Sequence, residues 1–314
     1  MKPKFLSTIK FFIGWPLSLI ALFFIGKVIF LNFRKIIPFL SHIDVFLVLL
    51  SVVLFLFYFL VRSFFWHKIL MYKGVKSKFI HTAYLWEISE IKRFIPGNVW
   101  AIAGRTTAFA KEDVSKKSIL KLWFLEMEFL VLGSLVASLF ATPFMLNTFL
   151  PDNFTDTLFK IGIYTIICLF VVLFLLSKYI IRLLSHLKIA VIRHAFPPFT
   201  IVQNAILLLI MTLAFAFFGF ATFAGVYAIF PLPTTQVIML SSFFVASFLI
   251  GYIAIISPMG LGIREAVMTG GLAKFVVLAE AGFGAIFTRI VLIFAEIIFL
   301  ICILLLERFT RHGK

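Results

Sequence analysis

The sequence predicts an all-α, polytopic membrane protein, and three observations carry that prediction. First, 63% of its 314 residues are hydrophobic and 13% charged, with a mean hydropathy of +1.14. Soluble domains run nearer 45–50% apolar and about 25% charged. Second, the excess is gathered into long runs, at 11–30, 45–65, 161–176, 201–230, 237–256 and 283–306. A helix needs roughly 20 such residues to cross about 30 Å of hydrocarbon. Barrel strands would be about ten residues of alternating polarity, a pattern absent from these runs. Helices satisfy their own backbone groups, each of which costs several kcal/mol if left unpaired in lipid. Third, the basic residues that give the net charge of +16 sit at the ends of the runs. They form the groups Lys2, Lys4 and Lys10; Lys68, Lys73, Lys76 and Lys78; Lys111, Lys116, Lys117 and Lys121; Lys178, Arg182, Lys188 and Arg193; and Arg308, Arg311 and Lys314. Short basic loops of this kind stay on the cytoplasmic side and suit anionic headgroups, so the charge reads as topology and not as a nucleic-acid surface.

Each element then follows in order. The run at 11–30 reads as an uncleaved first span leaving the cytoplasm, because no small-residue cleavage site stands out. The second span starts near Asp44 and returns to the Lys68–Lys78 loop, which leaves Arg34 and Lys35 outside. Residues 81–118 are too polar to face lipid and too apolar for an ordinary loop, with basic flanks at both ends. A re-entrant helical hairpin broken at Pro96-Gly97 accounts for this, since broken backbone is tolerated at membrane depth where protein or a wet cavity covers it. A span over 119–141 carries Glu126 and Glu128, and 143–157, with Asp152 and Asp156 but no Lys or Arg, reads as an outer loop. The run at 161–176 returns to the basic side, and 201–230 goes out again, long enough for tilt or a break near Gly219 or Gly225. After a short outer turn at 231–236, the run at 237–256 returns. Residues 261–282 are then expected to complete a crossing before the last span and its basic tail. The whole chain, 1–314, is one integral membrane domain of about eight membrane elements. Both termini are expected in the cytoplasm, in the cell (cytoplasmic) membrane.

Two halves, approximately 45–142 and 199–306, resemble each other loosely. Pro96 is followed nine residues later by Arg105, and Pro258 six residues later by Arg264; Glu126 and Arg289 then lie in the following spans. A broken helix followed by a charged span, occurring twice, is the pattern of transporter duplications, which place their site between the repeats.

Ionisable groups within spans cost about 2.5–3.5 kcal/mol each on insertion scales, so each needs a reason. Glu126 and Glu128 are about 200° apart around a helix and cannot share one cavity. Arg289 and Glu296, seven apart, share a face, as do Glu87 and Glu90, with Arg93 a turn further on. Arginine suits phosphate because its planar fork holds two oxygens. These charges give Glu87, Glu90, Arg93, Arg105, Glu126, Arg264, Glu265 and Arg289 as candidate substrate-binding residues, and the resemblance given below adds Pro96, Gly97, Gly260 and Gly262 to the set. In this set Arg93, Arg105, Arg264 and Arg289 would offset phosphate charge, while Glu126 and Glu265 would hold those arginines or meet an amine. The 43 phenylalanines are expected to face lipid. Cys168 and Cys302 fall inside spans and suggest no disulfide, and no histidine spacing suggests a metal. Nucleotide-binding and hydrolase motifs are absent, so no cofactor and no catalytic residue is assigned.

Arg93-Phe94-Ile95-Pro96-Gly97, the later Glu126 and the block Ser257-Pro258-Met259-Gly260-Leu261-Gly262-Ile263-Arg264-Glu265-Ala266 together resemble the lysylphosphatidylglycerol synthase transmembrane region family. The resemblance spans roughly 11–306, and its most specific element is Gly260–Glu265. It places Arg93, Pro96, Gly97 and Glu126 in a first family block and Gly260, Gly262, Arg264, Glu265 and Arg289 in a second. Asn98 stands where a further Gly is frequent, and Met127 where Arg is expected. The family implies a flippase-like module that handles an amphiphilic lipid, such as an anionic or aminoacylated phospholipid or a polyprenyl-linked sugar. No aminoacyl-transferase domain follows position 314, so another protein is expected to make any lysyl-lipid. The resulting expectation is translocation of a phospholipid or lipid-linked headgroup between leaflets, more a transporter than an enzyme. The alternatives are a membrane transferase on a lipid-linked substrate and an accessory subunit of a cell-envelope synthesis complex; homo-oligomerisation stays open.

Overall fold

The computed structural model describes residues 43–94, 100–110, 112, 114–149, 199–253 and 262–312. The expected first span, the run at 161–176, Cys168, and the breaks at Pro96-Gly97 and 257–261 lie outside these residues. The described chain is helical, without strands, and the protein is a polytopic, all-α membrane protein. Four segments are long and apolar enough to cross a bilayer: Val45–Tyr72, Ile201–Tyr227, Thr234–Ile253 and Leu278–Thr310.

Helix α1, Val45–Tyr72, begins at Asp44, whose carboxylate accepts the Leu47 N–H at 3.2 Å. It ends at a basic loop turned by Gly74, φ 78°. Two short helices follow, α2 (Phe79–Glu90, prolonged by a 3-10 turn Ile91–Phe94) and α3 (Trp100–Ala110). At about 1.5 Å per residue neither reaches 20 Å. They run antiparallel: Arg105 meets Ser89 and Glu90, and His81 meets Glu112. This pair enters beside the end of α1, where Phe79 packs on Phe64 and His67. It reaches the middle of α1, where Glu90 faces Arg62. Helix α4, Lys116–Ala137, is capped by Ser115 and crosses back. A 3-10 turn at Leu139–Ala141 leads into α5, Thr142–Phe149. The first part of the expected outer loop is therefore helical, because Phe144 has Phe243 and Phe275 to pack against.

Helix α6, Ile201–Tyr227, starts at a capping box between Thr200 and Gln203 and lies antiparallel along α1, with Ser51 donating to the Ala221 carbonyl at 2.7 Å. It does not break at Gly219 or Gly225. Those glycines allow close approach: a Cβ at Gly219 would sit 2.5 Å from the Ser241 carbonyl oxygen of the next helix. Helix α7, Val237–Ile253, starts beside the Asp44 end, but its last turn stands level with Met127 of α4, which Tyr252 touches. Helix α8, Ile263–Leu272, doubles back along it, with Arg264 beside Gly251 and Gly271 beside Phe243. Here the sequence expectation is corrected in the described residues: α7 is level with the middle of α4 at Tyr252, and the described part of 261–282 does not complete a crossing. Ten residues span about 15 Å, so α8 leads back to the end from which α7 came. Helix α9, Leu278–His312, then crosses the whole way, with Glu307 reaching His81 at the basic end. Lys68, Lys73, Lys78, Lys116 and Arg308 thus share one end of the bundle, while Asp44, Ala228 and the 3-10 turn Thr234–Gln236 mark the other.

Outward apolar side chains, such as Phe46, Leu49, Val202, Leu209 and Phe294, are more than half exposed, as lipid-facing residues should be. The phenylalanines do not all join them. Phe55, Phe59, Phe65, Phe129, Phe215, Phe218 and Phe243 are fully buried, because they fill the seams between helices in edge-on and tilted pairs such as Phe55–Phe218 and Phe65–Phe129.

Candidate functional site

Glu90 and Arg93 of the first pair meet Tyr252 of α7 and Arg264 of α8 at mid-bundle around a cavity of about 140 Å³. A single water needs about 10–15 Å³ on the same measure. Among its lining residues are Arg62, Glu90, Arg93, Arg264, Arg289 and Glu296, with Tyr58, Met127, Phe248 and Tyr252 as less polar walls.

The α2–α3 side is an ionic network. Arg62, projecting from the centre of α1, lies 3.5 Å from Glu90 and 3.3 Å from Glu126. Arg105 pairs with Glu126 and, at 2.5 Å, with Glu90, and its Nε donates to Ser89 Oγ. Both guanidinium groups lie over the Trp86 ring, and the Trp86 indole N–H donates to Glu126. Arg93 completes the network, 2.7 Å from Glu90 and 2.7 Å from Glu296. Each of these charges would be costly alone in hydrocarbon and is stable there because its partners are fixed. Arg93 stands on the 3-10 turn that prolongs α2.

The α8 side is built differently. Gly262, φ 84°, starts α8, and its N–H donates to the Glu265 carboxylate at 2.7 Å. The other Glu265 oxygen holds Arg289. Next to Glu265, Arg264 is only 6% exposed, with its guanidinium 5.0 Å above the Phe218 ring. It has no carboxylate partner among the described residues. Around this cavity five arginines therefore meet four paired carboxylates, leaving one cation in excess.

Glu90, Arg93, Arg264 and Arg289 from the sequence-derived set line the cavity. Glu126 and Glu265 stand behind it holding arginines. Arg105, expected to face a headgroup, is 1% exposed and locked behind the wall. Glu87 is fully buried off the cavity, with no hydrogen-bond partner on either oxygen. Gly262 acts through the start of α8, and Pro96, Gly97 and Gly260 lie outside the described residues. Arg289 and Glu296 share the cavity but pair with Glu265 and Arg93, not with each other. Arg62 was missed, although it is the one charge within the apolar run at 45–65 and the insertion cost alone points to it.

At the basic end a second cluster ties the outer parts of the bundle together. His81 of α2 contacts Glu112 through Nε2 at 3.0 Å and Glu307 of α9 through Nδ1 at 2.7 Å. Burial opposes its charge, but hydrogen bonds to the two carboxylates outweigh burial and raise its pKa above the ordinary 6.5.

A family model described as Lysylphosphatidylglycerol synthase TM region matches residues 8–299. No curated protein matches the chain.

Proposed function

The chain belongs to the family described as Lysylphosphatidylglycerol synthase TM region, and from that premise we propose that it moves a phospholipid between leaflets by seating its phosphate in the arginine-lined cavity. Membership makes it a membrane protein of lipid handling. The observation that carries the finer reading is Arg264, a buried cation lining a mid-depth cavity without a carboxylate of its own among the described residues. A phosphodiester supplies the one negative charge the site lacks, and the planar fork of arginine suits its oxygens.

The arrangement of the halves supports a path to both surfaces. In the first half α1 leads to a pair entering from the basic end, followed by α4. In the second, α6 leads to a pair entering from the Asp44 end, followed by α9. The order is the same and the direction reversed, as in inverted-repeat transporters whose site lies between the repeats. Movement of one pair would open the cavity to one leaflet, and movement of the other to the opposite leaflet. The basic end is the cytoplasmic one by the Lys/Arg rule.

Reconstitution into vesicles carrying a labelled phosphatidylglycerol tests the reading. Wild type should bring the label across, and Arg264→Ala, inserted to the same level, should lose most of that rate. An unchanged rate overturns the proposal. Turnover of a lipid substrate by protein in detergent, where leaflets are absent, would favour the transferase instead.

A further inference from the structure

The seam between α2 and α9 carries titratable groups from the basic end to mid-depth. His81 and Glu307 stand at its mouth with Glu112. Deeper in, Glu87 of α2 is an electrostatic neighbour of Glu296 of α9. Glu87 is fully buried, and neither of its oxygens has a donor among the described residues. Glu296 is 1% exposed and uses one oxygen for Arg93, while its other oxygen has no partner. An ionised carboxylate without a donor is too costly in such surroundings to persist, and chains of acids and histidine at membrane depth serve as proton relays in pumps and transporters. The charged groups facing this pair are Arg62 of α1, Glu90 and Arg93 of the first pair, and Arg264 and Arg289 across the cavity.

Arg93 has two claimants once a phosphate enters. Its guanidinium lines the cavity that Arg264 also lines, so a phosphate bound there competes with Glu296 for it. Resting on the phospholipid reading above, we infer that lipid and proton are coupled here: phosphate binding at Arg93 and Arg264 releases Glu296 from its ion pair, and the freed carboxylate takes up one proton. The proton comes from water at the basic end, by way of Glu87, which hands its own proton to Glu296 and is reprotonated from that side. Charge balances, since one monoanionic phosphodiester enters with one proton. One proton therefore accompanies each monoanionic lipid, so a proton gradient can drive it.

Titration calorimetry of detergent-solubilised wild type with short-chain phosphatidylglycerol, in two buffers of different ionisation enthalpy, reads the protons directly. The expected result is about one proton taken up per lipid bound, with affinity weakening about tenfold per pH unit across the coupled range. In Glu296→Gln, lipid binding should become independent of pH, with no proton uptake. In Glu87→Gln, uptake at equilibrium should persist, while vesicle flipping slows and loses its response to an imposed pH gradient. Lipid binding that depends on Arg264 but takes up no proton overturns the coupling and leaves the phospholipid reading standing. No lipid binding at all overturns both.

Discussion

Arg264 and Arg93 line one cavity from opposite helix pairs, yet Arg93 is held by Glu90 and Glu296 while the Arg264 guanidinium lies over the Phe218 ring with no carboxylate partner among the described residues. The difference separates a residue that builds the wall from one left for a ligand. Arg264→Ala should weaken binding of short-chain phosphatidylglycerol by about 10- to 100-fold, in line with roughly 1.5–3 kcal/mol for a hydrogen bond to a charged group. The thermal stability of the ligand-free protein should hold or rise, because a buried charge without a counter-ion is removed. A large stability loss with unchanged binding would assign Arg264 to packing.

The Arg105–Glu126 pair predicts the opposite behaviour. Glu126 is fully buried and also receives Arg62 and the Trp86 indole, so Glu126→Ala strands charges with nowhere to go. Removing one partner of such a pair costs roughly 3–5 kcal/mol. The double replacement Arg105→Leu with Glu126→Leu leaves Arg62 with Glu90 and should recover part of the loss seen in either single variant. Unfolding midpoints in detergent would reveal this as a strong non-additive coupling. Strictly additive losses would mean the two residues act separately.

Much of this was legible in the sequence, for a physical reason. Hydrocarbon penalises charge so heavily that an acid or arginine at membrane depth needs a reason, which is how Glu90, Arg93, Glu126, Arg264 and Arg289 were picked out. The partners themselves were not legible. Arg93 finds Glu296 across 203 residues, and nothing local distinguishes that choice from Glu87, four residues nearer the start of α2 than its own turn. The hairpin of α2 and α3 could be read from its mixed polarity and basic flanks. That of α7 and α8 could not, because α7 is apolar throughout and satisfies every requirement of a full span except where it stops.

Gly219 and Gly74 offer a test of close packing against backbone freedom. Gly74 has φ 78° and open space around its missing side chain, so Gly74→Ala meets only the left-handed backbone penalty, about 1–2 kcal/mol. Gly219 has ordinary helical geometry, but a Cβ there would press on the Ser241 carbonyl, and backbone cannot rotate away as a flexible side chain can. Gly219→Ala must therefore separate α6 from α7, the helix that positions Tyr252 at the cavity. It should lower the unfolding midpoint more than Gly74→Ala and reduce vesicle flipping, which Gly74→Ala should spare. The reverse order would show that the α6–α7 seam is compliant.

His81 makes the joint between α2 and α9 dependent on pH. Both ring nitrogens face carboxylates, Glu112 and Glu307, an arrangement that favours the protonated ring, which can donate from both. Its pKa in the folded protein is raised above the 6.5 of a free imidazole, burial being outweighed by those two carboxylates. A raised folded value means the stabilisation is fully present below about pH 6.5 and is lost as pH climbs through the higher, folded value. The midpoint difference between wild type and His81→Gln should thus be largest in mildly acidic buffer and shrink on the alkaline side. Glu307→Gln, which removes one of the two charges that hold the proton, should move that decline to lower pH. A difference that stays constant from acidic to alkaline buffer would show that the ring acts by packing alone.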